Sequence, residues 1–369
     1  MIKITFDGNE YFNFTSIIAE HNIDQNLAFK SINAQAIATE PFKDFITLLN
    51  SKNYVLARVL IKDKLFLEGF VNNENFGYSD TSNGTFISIN ISDRFIGVKE
   101  SDLISTKPKG SLESYLSNVL NELNYNGTSF IDTYNKKIKS TKDFILIGEG
   151  VSNKNLKTFQ KPDLVDYDGS KTIAEICSVA NVILISNGYD TLSIEKANAY
   201  PNPIFNIIRS GSTNISHAEK VGKRSLGLTP SKIIILNPQD DKDSNSSVVA
   251  YNDNGLPHIQ KINHISTKLT YSEISKHLDY NFAGIKARTN SFIYKCKNVI
   301  FDDNGEFFLP NRCINVLDEK YGIKEVMTLL QVSFSIDSSQ GTEIAFNLTT
   351  KGAFDDNASI KQKRALMKK

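Results

Sequence analysis

Alternate positions are apolar over much of the first hundred residues. Ile2-Lys3-Ile4-Thr5-Phe6 and Phe86-Ile87-Ser88-Ile89-Asn90-Ile91 put every second side chain on one face, which predicts half-buried antiparallel strands. Leu65 to Val71 is a shorter apolar run that Asn72-Asn73 should end, and Asn75 to Gly84 is rich in turn formers. From Ser111 the period changes. Leu112, Tyr115, Leu116, Val119, Leu120 and Leu123 recur at helical spacing, with Gly110-Ser111 as a start and Asn126-Gly127 as a stop. Phe144 to Ile147 reads as a buried strand. A second helix follows Asp168-Gly169-Ser170, with Ile173, Ile176, Cys177 and Ala180 on one face, and Asn187-Gly188 turns the chain into Thr191 to Ile194.

Strand patterns return at Ile204 to Ile208 and Lys232 to Leu236, on either side of turn-rich sequence. Pro238 to Ser247 is a polar loop with no apolar anchor and is expected to be mobile. The last hundred residues alternate at Phe292/Tyr294/Cys296, Val332/Phe334/Ile336 and Ile344/Phe346/Leu348, with Asp303-Asn304-Gly305 as a hairpin turn. The basic end, Lys361 to Lys369, reads as a solvated tail, with an electrostatic docking arm as the alternative.

These patterns predict a β-rich α+β protein. Its expected parts are a meander or small barrel over 1–105, an α+β unit over 106–203, further strands over about 204–250, a connecting α+β segment over 251–290, and a second barrel or sandwich with a basic tail over 291–369. Composition fits a folded chain of several domains: 369 residues, 40% hydrophobic and 22% charged. Forty-two Lys and Arg against 41 Asp and Glu leave too weak a field to attract nucleic acid or an anionic membrane, so partners must be recognised by shape. The start, MIKITFDGNEYFNF, lacks the basic and apolar regions of a secretory signal, and no apolar run is long enough for a membrane helix. Triplets such as Asn83-Gly84-Thr85 therefore have no secretory context. Cys177, Cys296 and Cys313 are odd in number and set in apolar sequence, as buried reduced thiols would be.

Catalytic and ligand signatures do not assemble. Gly148-Glu149-Gly150 has Asn153 where a phosphate loop needs its third glycine, and Gly222-Lys223 has His217 and Arg224 at the other decisive places. His21, His217, His258, His264 and His277 lack zinc-ligand spacing. Ser216-His217 are neighbours in sequence without a nucleophile elbow and read as a turn. Asp302-Asp303 and Asp355-Asp356 fall where turns are expected rather than as a facing acid pair. No catalytic, cofactor-binding or metal-binding residue is assigned, and a non-enzyme is expected.

Three segments, in order, resemble the baseplate hub proteins of Mu-like contractile phages, a family related to the T-even phage hub and to the N-terminal part of type VI secretion spike proteins. The first is Leu65 to Val71 with Gly69-Phe70, then Tyr78, then Ile87 to Arg94, where Ser92-Asp93 stand in place of the family's frequent Gly-Arg-Asp. The second is Lys171 to Glu219, with the helix carrying Cys177, the Asn187-Gly188 turn and Arg209 to Ile215. The third runs from Ala287-Arg288 through Gly305, Leu309-Pro310, Ile314 to Val316 and Tyr321 to Ile323 to Val332 to Ser335 and Gly341-Thr342. The resemblance implies two antiparallel β-barrels of related fold with α+β insertions, the first barrel over 1–105 being completed by strands of about 204–250 after the inserted domain. It also implies a homotrimeric ring between a sixfold tail tube and a threefold central spike in a virion tail baseplate, made in the host cytoplasm. The implied partners are other copies of the chain, tube protein, spike protein and other baseplate proteins, with no membrane and no sequence-specific nucleic acid. The equivalent hub of an R-type bacteriocin or of an extracellular contractile injection system shares these features. A tail-associated cell-wall hydrolase is the reading from another class.

Overall fold

The computed structural model describes residues 2–11, 14–24, 26–37, 42–51, 55–81, 84–101, 110–125, 132–133, 136–137, 140–148, 151, 155–156, 169–197, 199–209, 215–221, 230–236, 247–251, 256–264, 291–337, 341–350 and 364–367. The first part of the chain forms β1 (Ile2–Phe6), β2 (Phe14–Asp24), β3 (Leu27–Ile37), α1 (Phe42–Ser51), β4 (Leu56–Ile61), β5 (Lys64–Thr81) and β6 (Gly84–Asp93). The middle holds α2 (Ile96–Glu100), α3 (Leu112–Glu122), β7 (Ile145–Ile147), α4 (Gly169–Ala180), β8 (Val182–Ser186) and β9 (Leu192–Lys196). Then come β10 (Pro203–Arg209), β11 (Ile215–Val221), β12 (Pro230–Leu236), β13 (Ser247–Tyr251) and β14 (Leu256–His264). The chain closes with β15 (Ser291–Lys297), β16 (Cys313–Asp318), β17 (Ile323–Asp337), β18 (Gly341–Thr350) and β19 (Arg364–Met367).

Two six-strand ladders dominate. The first runs β1-β4-β5-β6-β3-β2 and the second β10-β16-β17-β18-β15-β11. Numbered along the chain within each ladder, both read 1-4-5-6-3-2. The first and last strands of each ladder lie against one another, as in a curled sheet. Within the two ladders every pairing is antiparallel except β10 with β16, which is parallel. Among the described residues a single strand pairing, β2 with β17, joins the ladders. One apolar core serves both, from Ile4, Phe6 and Ile89 to Phe334, Phe346 and Leu348. The alternation expected for Ile4/Phe6, Ile87/Ile89/Ile91 and Ile344/Phe346/Leu348 is the pattern of burial found.

Several expectations are corrected. β10 and β11 were expected to complete the first barrel, but they pair with β16 and β15 and complete the second ladder. Backbone pairing between distant segments carries no local sequence signal, so allegiance to one ladder or the other was open. β5 does not stop at Asn72-Asn73. It continues to Thr81 by pairing with β6 across a register shift between Asn72 and Gly77, and this pairing overrides the turn-rich composition. Ser216 and His217 lie on β11, not in a turn. The basic tail contains a strand, since β19 pairs with β13 in a separate four-strand sheet ordered β14-β12-β13-β19. β14 is part of the segment expected to connect the barrels. The proposed stop at Asn126-Gly127, the loop 238–246 and residues 265–290 lie outside the described residues.

The middle segment has its own core. Leu112, Tyr115, Leu116, Val119 and Leu120 on α3 meet Ile173, Ile176 and Cys177 on α4. Ser111 caps α3 by accepting the Ser114 N–H, so the helix starts where predicted. Ala180 is exposed at the end of α4. Leu146 on β7 is 53% exposed, contrary to the buried strand expected there, and among the described residues β7 pairs with β9 alone. All three cysteines are buried and unbridged. Among the described residues no helix is long and apolar enough to cross a membrane.

Candidate functional site: the junction of ladders and insertion

Buried polar contacts fix the described parts of the chain against one another. These converge where β2, β3, β5 and β6 meet the turn between β8 and β9. Asn187 organises that turn, its side-chain oxygen accepting the N–H groups of Tyr189, Asp190 and Thr191. Gly188 is required there. It has φ +93°, and an added Cβ would lie 2.7 Å from the Lys30 side chain. The turn seats on β5, with the Glu68 N–H donating to the Gly188 carbonyl at 2.9 Å.

Lys30 is buried beneath this turn. Its ammonium donates to the carbonyls of Asn187 (2.7 Å) and Phe66 (3.1 Å) and lies 4.4 Å above the Phe66 ring. Burial lowers its pKa to about 8, with Asp93 opposing the shift. Phe66 packs edge-on against Phe307 and Phe334, so the same residue touches the second ladder. Asp93 is wholly buried, and burial raises its pKa against hydrogen bonds from the Phe95 N–H, Ser186 and the Lys30 N–H. Arg94 donates to Glu68 at 3.2 Å, and Arg58 forms a second, shorter pair with the same carboxylate. The Tyr125 hydroxyl closes over the Arg94 carbonyl at 2.7 Å.

A third ion pair ties the insertion to the second ladder. Glu195 on β9 receives both guanidinium nitrogens of Arg312, at 2.6 and 2.9 Å, and the Asn311 amide at 3.0 Å. The Arg312 guanidinium also lies 3.8 Å from the centre of the Tyr200 ring.

His21 stands beside Lys30 on the strand that joins the ladders. Neither ring nitrogen has a hydrogen-bond partner. Burial, then the Lys30 charge, hold its pKa well below the usual value, the Ala28 backbone opposes this, and Arg312 adds to the lowering. The folded state therefore resists a proton that the unfolded chain accepts near pH 6.5. Relative to a His21→Met variant, wild-type stability is expected to hold above that pH. It should fall below it by up to about 1.4 kcal/mol per pH unit, until the folded imidazole titrates. Urea unfolding of both proteins between pH 5 and 7.5 checks this, and parallel curves would reject it.

The structure separates the other residues weighed from sequence. Gly148 donates its N–H to the Ile194 carbonyl as part of a strand edge, while Glu149, Gly150, Asn153, Gly222, Lys223, Arg224, His277, Asp355 and Asp356 lie outside the described residues. Ser216, at the register shift between Ile215 and His217, donates to the Lys295 carbonyl at 3.0 Å. Asp302 accepts the N–H groups of Asn304 and Glu306, which makes it a turn organiser. His258 and His264 both fall on β14. Among the described residues no group of three His, Cys, Asp or Glu side chains could hold a metal. Gly69, Asp93, Arg94 and Asn187-Gly188, all in segments that carried the resemblance, meet at the junction. Lys30, Glu68, Glu195 and Arg312 were missed, and a charged residue inside an apolar alternation, as at Lys30, was the available signal.

No protein-family model matches the chain, and no curated protein matches it. Solved structures do. A tail protein from Neisseria meningitidis superposes with a TM-score of 0.72 at 13% identity, covering 97% of this chain and 98% of that one. The 43 kDa tail protein of prophage MuSo2 from Shewanella oneidensis gives 0.69 at 14% identity, covering 96% and 99%. A type VI secretion system component from E. coli, itself structurally similar to T4 bacteriophage tail proteins, gives 0.54 at 7% identity, covering 94% and 76%.

Proposed function

We propose that this chain, which has the fold of phage tail proteins, is the baseplate hub of a phage-like contractile tail and acts by assembly rather than by catalysis. The observation that carries the reading is the repeated 1-4-5-6-3-2 strand order. Three copies of a chain holding two like ladders supply six similar units around a threefold axis. Such a ring offers sixfold features to a tail tube on one side and threefold features to a central spike on the other. The ion pairs at the junction suit this work, because Arg94 with Glu68 stiffens the first ladder and Arg312 with Glu195 holds the insertion to the second. The two barrels and the inserted domain are the units of this assembly, with the first barrel at 1–105 and the second drawing its strands from 203–221 and 291–350.

Light scattering should return the mass of three 41.2 kDa chains. A permanent interface of this kind buries more than about 1,000 Å² per contact. The mass should change little with salt, since the chain has a net charge of only +1. A dimer, or a ring of six chains in the assembled particle, would overturn the hub reading, because neither supplies six ladders from three chains.

A further inference from the structure

Within one chain, among the described residues, the ladders join through one strand pairing. Residues 16–22 of β2 run antiparallel to residues 331–337 of β17. That stretch is the far half of an over-long fifth strand, whose near half, 323–328, pairs with β16. The first ladder has an over-long fifth strand too. β5 pairs with β4 over 64–70, and among the described residues its far half pairs with β6 alone. β11, the counterpart of β2, is paired with β15 on one side, and no other described strand pairs with it.

The correspondence extends to single residues. β3 residues 31–37 pair with 92–86 as β15 residues 291–297 pair with 349–343. On that alignment the register shift between Phe14 and Ser16 falls at the same place as the one between Ile215 and His217. Ile17 to Glu20 then match Ala218 to Val221. Along the fifth strands, Ser333 to Ile336 match Gly77 to Asp80. The seam between ladders inside the chain is thus a template whose two complementary halves recur, apart, elsewhere in the same chain.

We infer that β11 of one copy adds antiparallel to the far half of β5 in the next copy, pairing Ala218 with Asp80, Glu219 with Ser79, Lys220 with Tyr78 and Val221 with Gly77. The occupant of each edge is a second copy of this chain, and the inference rests on the proposal that copies associate. Each chain then offers one donor and one acceptor strand, a head-to-tail contact that closes into a ring. In a ring of three chains, three seams within chains would alternate with three between them. Two strand edges of the kind that invites unwanted pairing would be covered. The Ala218 carbonyl, which accepts the Tyr321 hydroxyl at 3.4 Å, keeps a lone pair for an incoming strand. Ile37 and Phe86, opposite each other and 41% and 39% exposed, lie on the row that leads through Ser79 to this seam.

Facing residues in such a ladder have Cα atoms about 4.5–5.5 Å apart, within disulfide reach. A Glu219→Cys, Ser79→Cys variant should therefore cross-link on oxidation. On a non-reducing gel the 41.2 kDa band should give way to species of two and three chains. The native thiols, all buried, should not contribute. Ile18→Cys with Ser335→Cys should link within one chain without changing its mass. Glu219→Cys with Tyr78→Cys, one residue out of register, should link far less. If light scattering gives three chains while Glu219→Cys, Ser79→Cys stays single, the strand pairing is wrong and the trimer stands. A single chain in both measurements overturns both. Equal linking by the shifted pair overturns the register.

Discussion

Replacing Glu195 by alanine is expected to cost about 3–5 kcal/mol of unfolding free energy, the loss typical of removing one partner from a buried pair. Its carboxylate is 1% exposed and takes both Arg312 nitrogens and the Asn311 amide. The variant leaves the guanidinium, only 15% exposed, without its carboxylate partner, and takes one acceptor from the buried Asn311 amide, which still donates to the Lys196 carbonyl. The loss should concentrate where β9 meets the second ladder, so the insertion should loosen before the ladders melt. A Glu195→Leu, Arg312→Leu double variant should recover much of the stability, because no unpaired charge remains. Urea unfolding of the single and double variants checks the pair. Independent, additive losses would show that the two residues do not act together.

Gly69→Ala is expected to prevent the native fold, with an effect at or beyond the upper range of single substitutions, about 4–5 kcal/mol. A Cβ at this position would lie 1.8 Å from the Ser92 carbonyl oxygen and 2.9 Å from its carbon. Both are backbone atoms of the neighbouring strand and cannot swing aside. Gly69 faces Asp93 in that ladder, and moving the strands apart would also break the Arg94 and Glu68 contacts. Gly77→Ala, on the same strand with nothing within 4 Å of the added atom, is the control and should stay within about 0.5 kcal/mol. Soluble yield and circular dichroism of the two variants separate the outcomes. A folded Gly69→Ala protein would mean that the strands approach less closely than described.

Local patterns carried the elements, and their physical reason is short range. Period-two alternation decides which face of β1, β6, β15 and β18 is buried, because a strand's side chains alternate whatever lies beside it. Ser111 starts α3, and Asn187 and Asp302 fold their turns, through hydrogen bonds spanning at most four residues. The tertiary structure decided which strands pair. β10 and β11 join the second ladder, β5 runs past its asparagines, and β19 adds to a sheet whose other strands begin more than a hundred residues earlier. Glu195 and Arg312 are 117 positions apart, and neither stands out beside its neighbours in sequence. A strand's edge groups are the same for every sequence, so alternation states which face seeks the core but not which partner completes the backbone. The likeness of the two ladders lies in the order and register of those partners, and it became visible only once the chain was folded.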